Sequence, residues 1–169
     1  ELKGIEDKIK ARGGADLADL DKQLRDLRKR IKTKKRPEYG YHSQISAKQD
    51  VAKWVQVDLG QAQTIQQITI IGTSDSFNDI GDGFGFPIRY KIEASNDAEI
   101  SRGVTVVADK TMGDEPNPGI APQHFKPNNL QSRYIRITAT KLAKRSNDYI
   151  LAVGELHVMG PNGNNLAQG

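Results

Sequence analysis

Two glycine- and polar-rich segments in the second half of the chain hold side chains that suit a hydroxyl-rich ligand. Residues 72–87 carry three phenylalanines among glycines, and residues 141–149 combine cations, an amide, a carboxylate and an aromatic ring. An aromatic ring packs on the apolar face of a sugar, whereas amide, guanidinium and imidazole groups bond to its hydroxyls. The aromatic candidates are Phe77, Phe84, Phe86 and Tyr149. The polar candidates are His42, Asn78, Arg145 and Asn147.

A purely structural interpretation of the same residues stays open. Phe84 and Phe86 would then fill the bottom of a hydrophobic core, and Arg145 would pair with Asp148. Segments as long as residues 72–87 without secondary structure are uncommon and often functional, which favours the binding interpretation.

Catalysis has little support in the sequence. The histidines, His42, His124 and His157, are far apart and show no metal-ligand spacing. The chain contains no nucleophile elbow, phosphate-binding loop or dinucleotide fingerprint. Carboxylates are plentiful, but none stands in an apolar run that would raise its pKa for acid catalysis. We therefore expect a protein that is not an enzyme.

The elements that position these residues are predicted to be strands. Residues 54–60 alternate apolar and polar side chains, as in a strand with one buried face, and Gly60 with residues 61–63 predicts a turn. Further runs rich in Val, Ile, Thr and Tyr have no helices between them, which predicts an antiparallel β-sandwich. The predicted strands are residues 55–59, 65–71, 89–95, 104–109, 134–139 and 151–159.

The N-terminal part has a different pattern. Residues 1–36 predict an α-helical hairpin with its turn at Gly13-Gly14. Four leucines and Ile31, between Leu17 and Ile31, repeat at spacings of three and four, as in a short coiled coil. The alternative is that this apolar stripe packs on the strands or on another part of a larger parent protein. Residues 37–53 are then a linker or loop, residues 54–160 the sandwich, and residues 161–169 a tail.

Positive charge is concentrated in the same N-terminal part. Residues 1–37 contain 13 Lys/Arg and 7 Asp/Glu, and residues 28–36 are mostly basic. This run suits phosphate or sulfate groups, or it is a solvated helix end. No aromatic residue alternates with it for base stacking, so we do not expect nucleic-acid binding.

The composition of the chain excludes several kinds of protein and of site. The longest apolar run is far below the roughly 18 residues of a membrane span, and the chain has no cysteine, which excludes disulfides and thiolate metal sites. It lacks an initiating Met and a signal-peptide pattern, so we expect a mature or excised fragment.

Five motifs together resemble the coagulation factor V/VIII type C domain, also called discoidin. They follow the family's order: residues 54–60 (WVQVDLG), 68–71 (ITII), 90–96 (YKIEASN), 133–137 (RYIRI), and 154–158 (GELHV) with Gly160. The match spans about residues 50–160, and the family's bacterial members include the family-32 carbohydrate-binding modules. Residues 83–87 and 147–152 also resemble the discoidin-like segment of multidomain planctomycete proteins that contain cytochrome-c-like domains.

The resemblance implies an eight-stranded jelly-roll sandwich, with the two candidate segments at one end around a shallow ligand site. Family members bind sugars, anionic phospholipids or proteins, and many bacterial members hold a structural calcium ion. This chain lacks the family's usual N-terminal calcium loop, and only Glu155 stands at a calcium-associated position. Calcium needs six to eight oxygen ligands and this chain matches one, so the resemblance leaves open whether a structural calcium is bound, and no other cofactor is expected.

The combined expectation is a non-catalytic, glycan-targeting module of a larger extracellular, cell-surface or periplasmic protein. Its partner would be a polysaccharide or glycan, and the helical hairpin would contact other domains of the parent protein. The alternatives are a structural or protein-docking domain without its own ligand, or polyanion binding through the basic helix end.

Overall fold

The computed structural model describes residues 22–26, 39–75 and 81–167. The chain divides into two units between Arg36 and Pro37. In the first unit residues 22–26 are helical and Leu24 is buried. The rest of the predicted hairpin and the basic run lie outside the described residues, as do Phe77 and Asn78. Within the described residues, no helix is long and apolar enough to cross a membrane.

The second unit is built almost entirely from strands, and its described residues form thirteen of them. In chain order they are β1 (Tyr41–His42), β2 (Lys53–Ile65), β3 (Gln67–Ile71), β4 (Thr73–Asp75), β5 (Gly81–Phe84), β6 (Arg89–Ser95), β7 (Thr105–Lys110), β8 (Gln123–Phe125), β9 (Leu130–Lys141), β10 (Ala143–Lys144), β11 (Tyr149–Ile150), β12 (Ala152–Val153) and β13 (Glu155–Met159).

Two antiparallel sheets form the layers of a sandwich. One has the strand order β2-β9-β6-β7 and the other β13-β3-β8. Three short two-stranded pieces, β1-β12, β4-β5 and β10-β11, are added to them. The predicted antiparallel β-sandwich is confirmed. In the described part, the two main sheets contain seven strands, compared with the eight that the family resemblance implies.

The core lies between the two sheets and follows from the strand pattern. Ile92, Ile135 and Ile137 from the larger sheet and Ile68 and Ile70 from the smaller one are almost completely shielded from solvent. Burying a side chain of this size contributes about 1.5–3 kcal/mol to stability. The alternation that predicts strands is thus also the pattern that fills the core.

Strand β2 corrects one sequence expectation. A turn at residues 61–63 is wrong, because the strand continues to Ile65 through a bulge between Asp58 and Gln63. Gly60 has a φ of 79°, a conformation that favours glycine, and its N–H donates to Asp58 Oδ1 at 2.8 Å. Leu59 and Ile65 both belong to the core.

The segments on either side of the predicted sandwich also pack on it. Between residues 39 and 52, β1 pairs with β12 and Ser46 bridges to Tyr149. Near the other end of the chain, the Leu166 N–H donates to the Val158 carbonyl at 2.7 Å, and Leu166 packs against the core.

Candidate functional site

A pocket of about 360 Å³ lies where three segments of the chain meet: the end of the β4–β5 hairpin, residues 115–117, and the turn between β10 and β11. The first and third of these belong to the two segments that the sequence predicts to bind a ligand. The lining residues are Asp82, Gly83, Phe84, Gly85, Phe86, Ile88, Glu115, Asn117, Ala143, Lys144, Arg145 and Ser146.

The Gly-Phe-Gly-Phe run gives its two phenylalanines different environments. Gly83 and Gly85 have φ values of 75° and 70°, so the backbone turns at each of them in a way that favours glycine. Phe86 is 4% exposed and meets Tyr90 edge-to-face at 5.7 Å between ring centroids. Phe84 is only half-buried, and its ring centroid lies 5.6 Å from that of His42. Phe84 is therefore the ring that a ligand can reach, whereas Phe86 belongs to the core.

His42 lies beside Phe84 because β1 pairs with β12, and in that pairing His42 is opposite Ala152. Its ring is exposed and tilted by 42° to the Phe84 ring. An imidazole beside an aromatic face provides both a polar and an apolar contact. The structure thus brings together two candidates that are 42 positions apart in the sequence.

Arg145 is held by an ion pair. Its Nε and Nη2 donate to the two carboxylate oxygens of Asp148, each at 2.7 Å, and its backbone N–H donates to the Asp148 carbonyl at 2.8 Å. Hydrogen bonding from Arg145 lowers the pKa of Asp148, and that carboxylate raises the pKa of Arg145. The structural alternative for Arg145 is therefore present, yet the same residue also lines the pocket. The ion pair fixes the guanidinium in place.

His42 lies beside Phe84 but not in the lining, and the remaining candidates are not in the lining either. Asn147 is exposed beside the pocket, in the turn between β10 and β11. Tyr149 is half-buried and packs against the core, and its backbone bonds to Ser46 in both directions at 2.8 Å. Phe77 and Asn78 lie outside the described residues.

Of the lining residues, Phe84, Phe86 and Arg145 are predicted from the sequence, whereas Glu115 and Asn117 lie outside both predicted segments. Asn117 Oδ1 accepts from the Gly119 N–H at 3.0 Å, and its Nδ2 donates to the Asp82 carbonyl at 3.3 Å. Glu115 pairs with Lys110 at 3.4 Å. The run Asn117-Pro118-Gly119 is a recognisable turn signal, but nothing in it indicates that the turn closes over residues 82–85.

Glu155 stands at the position that the family resemblance associates with calcium. Its side chain is 54% exposed and lies 3.7 Å from His157, which is not a calcium ligand of the usual oxygen type. Among the described residues, no three His, Asp or Glu side chains are grouped closely enough to hold a metal. Calcium binding at Glu155 stays a prediction.

Comparison with known proteins supports the fold. A family-32 module of a family-89 glycoside hydrolase from Clostridium perfringens, solved with GalNAc-β-1,3-galactose, is 15% identical, with a TM-score of 0.51 over 73% of this chain and 76% of its own. The family-32 module of NanJ from the same organism, solved with galactose, is 20% identical, with a TM-score of 0.51 over 69% and 73%. The first family-32 module of a C. perfringens family-31 glycoside hydrolase is 23% identical, with a TM-score of 0.50 over 73% and 83%.

No curated protein matches the sequence. The model of the F5/8 type C domain family matches residues 23–155, which is most of the chain. The order of motifs, the antiparallel sandwich and this match agree. The chain belongs to the F5/8 type C, or discoidin, domain family.

Proposed function

We propose that this domain is a non-catalytic carbohydrate-binding module that recognises a glycan at the pocket around Phe84. The observation that carries the proposal is a pocket lined by the Phe84 ring, the Asn117 amide and the Arg145 guanidinium, with the His42 ring next to Phe84 at 5.6 Å between centroids. These groups come from four separate segments of the chain. They supply the apolar face and the hydrogen-bonding groups that a sugar requires.

Each group has a distinct part in binding. The C–H face of a sugar ring packs on Phe84, whose ring is flanked by that of His42. Asn117, Lys144 and Arg145 bond to the hydroxyls. Because Asp148 already orients Arg145, binding costs little side-chain entropy there.

The solved relatives support the class of ligand. The structures of two family-32 modules with similar folds were solved in complex with galactose and with GalNAc-β-1,3-galactose. At 20% and 15% identity they support a glycan without specifying the sugar.

Two carboxylates line the pocket, and both have local partners. Asp82 accepts from the Ser74 hydroxyl at 2.8 Å, and Glu115 pairs with Lys110. We assign them to holding the β4–β5 hairpin and the adjacent segment rather than to proton transfer. The module would then target a larger extracytoplasmic protein to its glycan.

A glycan array followed by calorimetric titration tests the proposal. The wild-type domain is expected to bind a neutral glycan with an affinity that changes little with salt, since no net charge is neutralised. Phe84→Leu removes the aromatic face but keeps apolar volume, and Arg145→Ala removes the guanidinium. Each is expected to weaken binding about tenfold or more, which is about 1.4 kcal/mol.

Arg133→Ala is a matched control for Arg145→Ala. Arg133 forms the same two-pronged ion pair, with Asp58 at 2.7 and 2.9 Å, and its side chain is 40% exposed compared with 42% for Arg145. It does not line the pocket, so its removal should leave affinity unchanged. If the array shows no binding, or if both arginine variants lose affinity equally, the proposed site is wrong.

A further inference from the structure

A second pocket, of about 570 Å³, lies at the other end of β3 from the candidate site. It is lined by residues 64–67, where β2 ends and β3 begins, by residues 126–129 before β9, and by Met159 at the end of β13 with Gly160 and Gly163 after it. Strand β3 separates the two ends. Its last residue, Ile71, precedes the β4–β5 hairpin, and its five residues span about 14 Å. The two pockets therefore belong to opposite ends of the sandwich.

The lining of this second pocket is rich in side-chain amides. Gln66, Gln67, Asn128 and Asn129 contribute amides, and Thr64 contributes a hydroxyl. Gln67 is already engaged, because its Nε2 donates to Thr69 Oγ1 at 3.1 Å and lies 3.2 Å from His124 Nδ1. The side chains of Gln66, Asn128 and Asn129 have no hydrogen-bond partner among the described residues, so their donors and acceptors are available to a ligand.

Charge at the second pocket has one sign. Lys126 lines it, is exposed and forms no ion pair with a described residue. No Asp or Glu belongs to the described lining. At the first pocket, in contrast, Asp82 and Glu115 oppose Lys144 and Arg145. An unopposed ammonium favours an anionic ligand, and the surrounding amides favour hydroxyls.

Ile65, Pro127 and Met159 supply the apolar part of the same lining. Ile65 is buried, whereas Pro127 and Met159 are half-buried and leave apolar surface for the C–H groups of a ring. Apolar surface, several amides and a single cation together match a small acidic ring compound with hydroxyls.

From this arrangement we infer that the second pocket is an independent binding site for an acidic sugar, such as a uronate. The carboxylate contacts Lys126, and the hydroxyls bond to Gln66, Asn128 and Asn129. The inference does not depend on glycan binding at Phe84. Two sites at opposite ends would let the domain bridge two glycan chains, or two places on one.

Nuclear magnetic resonance titration of the full chain with glucuronic acid tests this site. Backbone amide signals of Asn128, Asn129, Gly160 and Gly163 are expected to shift together, as are the side-chain amide signals of Gln66. Signals of Phe84, Gly85 and Arg145 should stay in place at the same uronate concentration. Glucose, which has no carboxylate, is expected to bind at least tenfold more weakly.

Lys126→Gln should weaken glucuronate binding about tenfold and leave the fold intact, since the side chain is exposed. Lys48→Gln is the charge-matched control, because Lys48 is exposed and lines neither pocket. Arg145→Ala should not change glucuronate binding, which separates this site from the first. Absence of shifts at residues 126–129, or equal loss in both lysine variants, would overturn the inference.

Discussion

Tyr90 connects the candidate site to the core. Its ring supports Phe86, and the residue is 3% exposed. Burial, followed by the nearby negative charge of Glu115, raises the pKa of Tyr90 to about 12. An exposed tyrosine in the unfolded chain has a pKa of about 10. The folded protein therefore holds this proton more tightly than the unfolded chain does.

This difference predicts a loss of stability at alkaline pH. The contribution of Tyr90 is fully present below about pH 10 and is lost as the pH rises towards about 12, where the folded-state phenol also ionises. Thermal melting measured from pH 8 to pH 11.5 should show a midpoint that falls above pH 10. Tyr90→Phe should give a shallower fall, because the linked proton has been removed.

The test compares the wild-type protein with Tyr90→Phe. Their melting temperatures below pH 9 differ by the constant effect of losing the hydroxyl, so only the slopes above pH 10 are compared. Equal slopes would mean that Tyr90 does not titrate with a raised pKa.

At the scale of elements, the short strand β1 places His42 beside Phe84. Gly40 precedes it with a φ of 58°, and a Cβ atom there would overlap the backbone carbonyl oxygens of Val153 and Gly154. Glycine is therefore required twice over, for its φ and for the close approach of β1 to β12. The position of His42 beside Phe84 depends on this contact.

Gly40→Ala and Gly60→Ala form a matched pair. Both glycines have positive φ, but a Cβ on Gly60 would meet no atom within 4 Å. Gly60→Ala should cost about 1–2 kcal/mol from backbone strain alone. Gly40→Ala should cost about 1–3 kcal/mol more from the overlap, and it should also weaken glycan binding by displacing His42.

Urea denaturation measures the free energy of unfolding of each variant. Glycan titration measures the loss of affinity in the Gly40→Ala protein. Equal destabilisation by the two substitutions would show that β1 can shift away from β12 without cost. Unchanged affinity of a folded Gly40→Ala protein would remove His42 from the site.

At the scale of the whole molecule, the sandwich has its own core. The buried cluster of the second unit draws on both main sheets and on residues up to Val158, and all of its members lie between Leu59 and Val158. The unit from Pro37 to Gly169 therefore contains the elements that a β-sandwich domain needs for folding alone.

A fragment of residues 37–169 is expected to fold independently. It should give a cooperative thermal transition and a far-ultraviolet circular dichroism spectrum dominated by β-structure. Its glycan affinity should equal that of the full chain, since the lining of the candidate pocket lies within residues 82–146. A fragment without a cooperative transition would show that residues 1–36 complete the fold.

The sequence alone determined the class of fold, because strand periodicity is a local property. Residues 89–95 were predicted as a strand and form one with the same bounds. Alternation places Ile92 and Ala94 on the buried face without any knowledge of the partner strand. The chemistry of the two candidate segments was visible for the same reason, since residue type does not depend on the fold.

Tertiary structure decided which of these residues act together. Phe84 and Phe86 look equivalent in sequence, and only packing against Tyr90 and His42 distinguishes the buried ring from the accessible one. Asn117 joins the site through a contact with Asp82, 35 positions away. The strand beyond Gly60 continues because Ile65 gains burial in the core, which outweighs the local turn signal. Contacts between distant segments produce these outcomes, and no local pattern contains them.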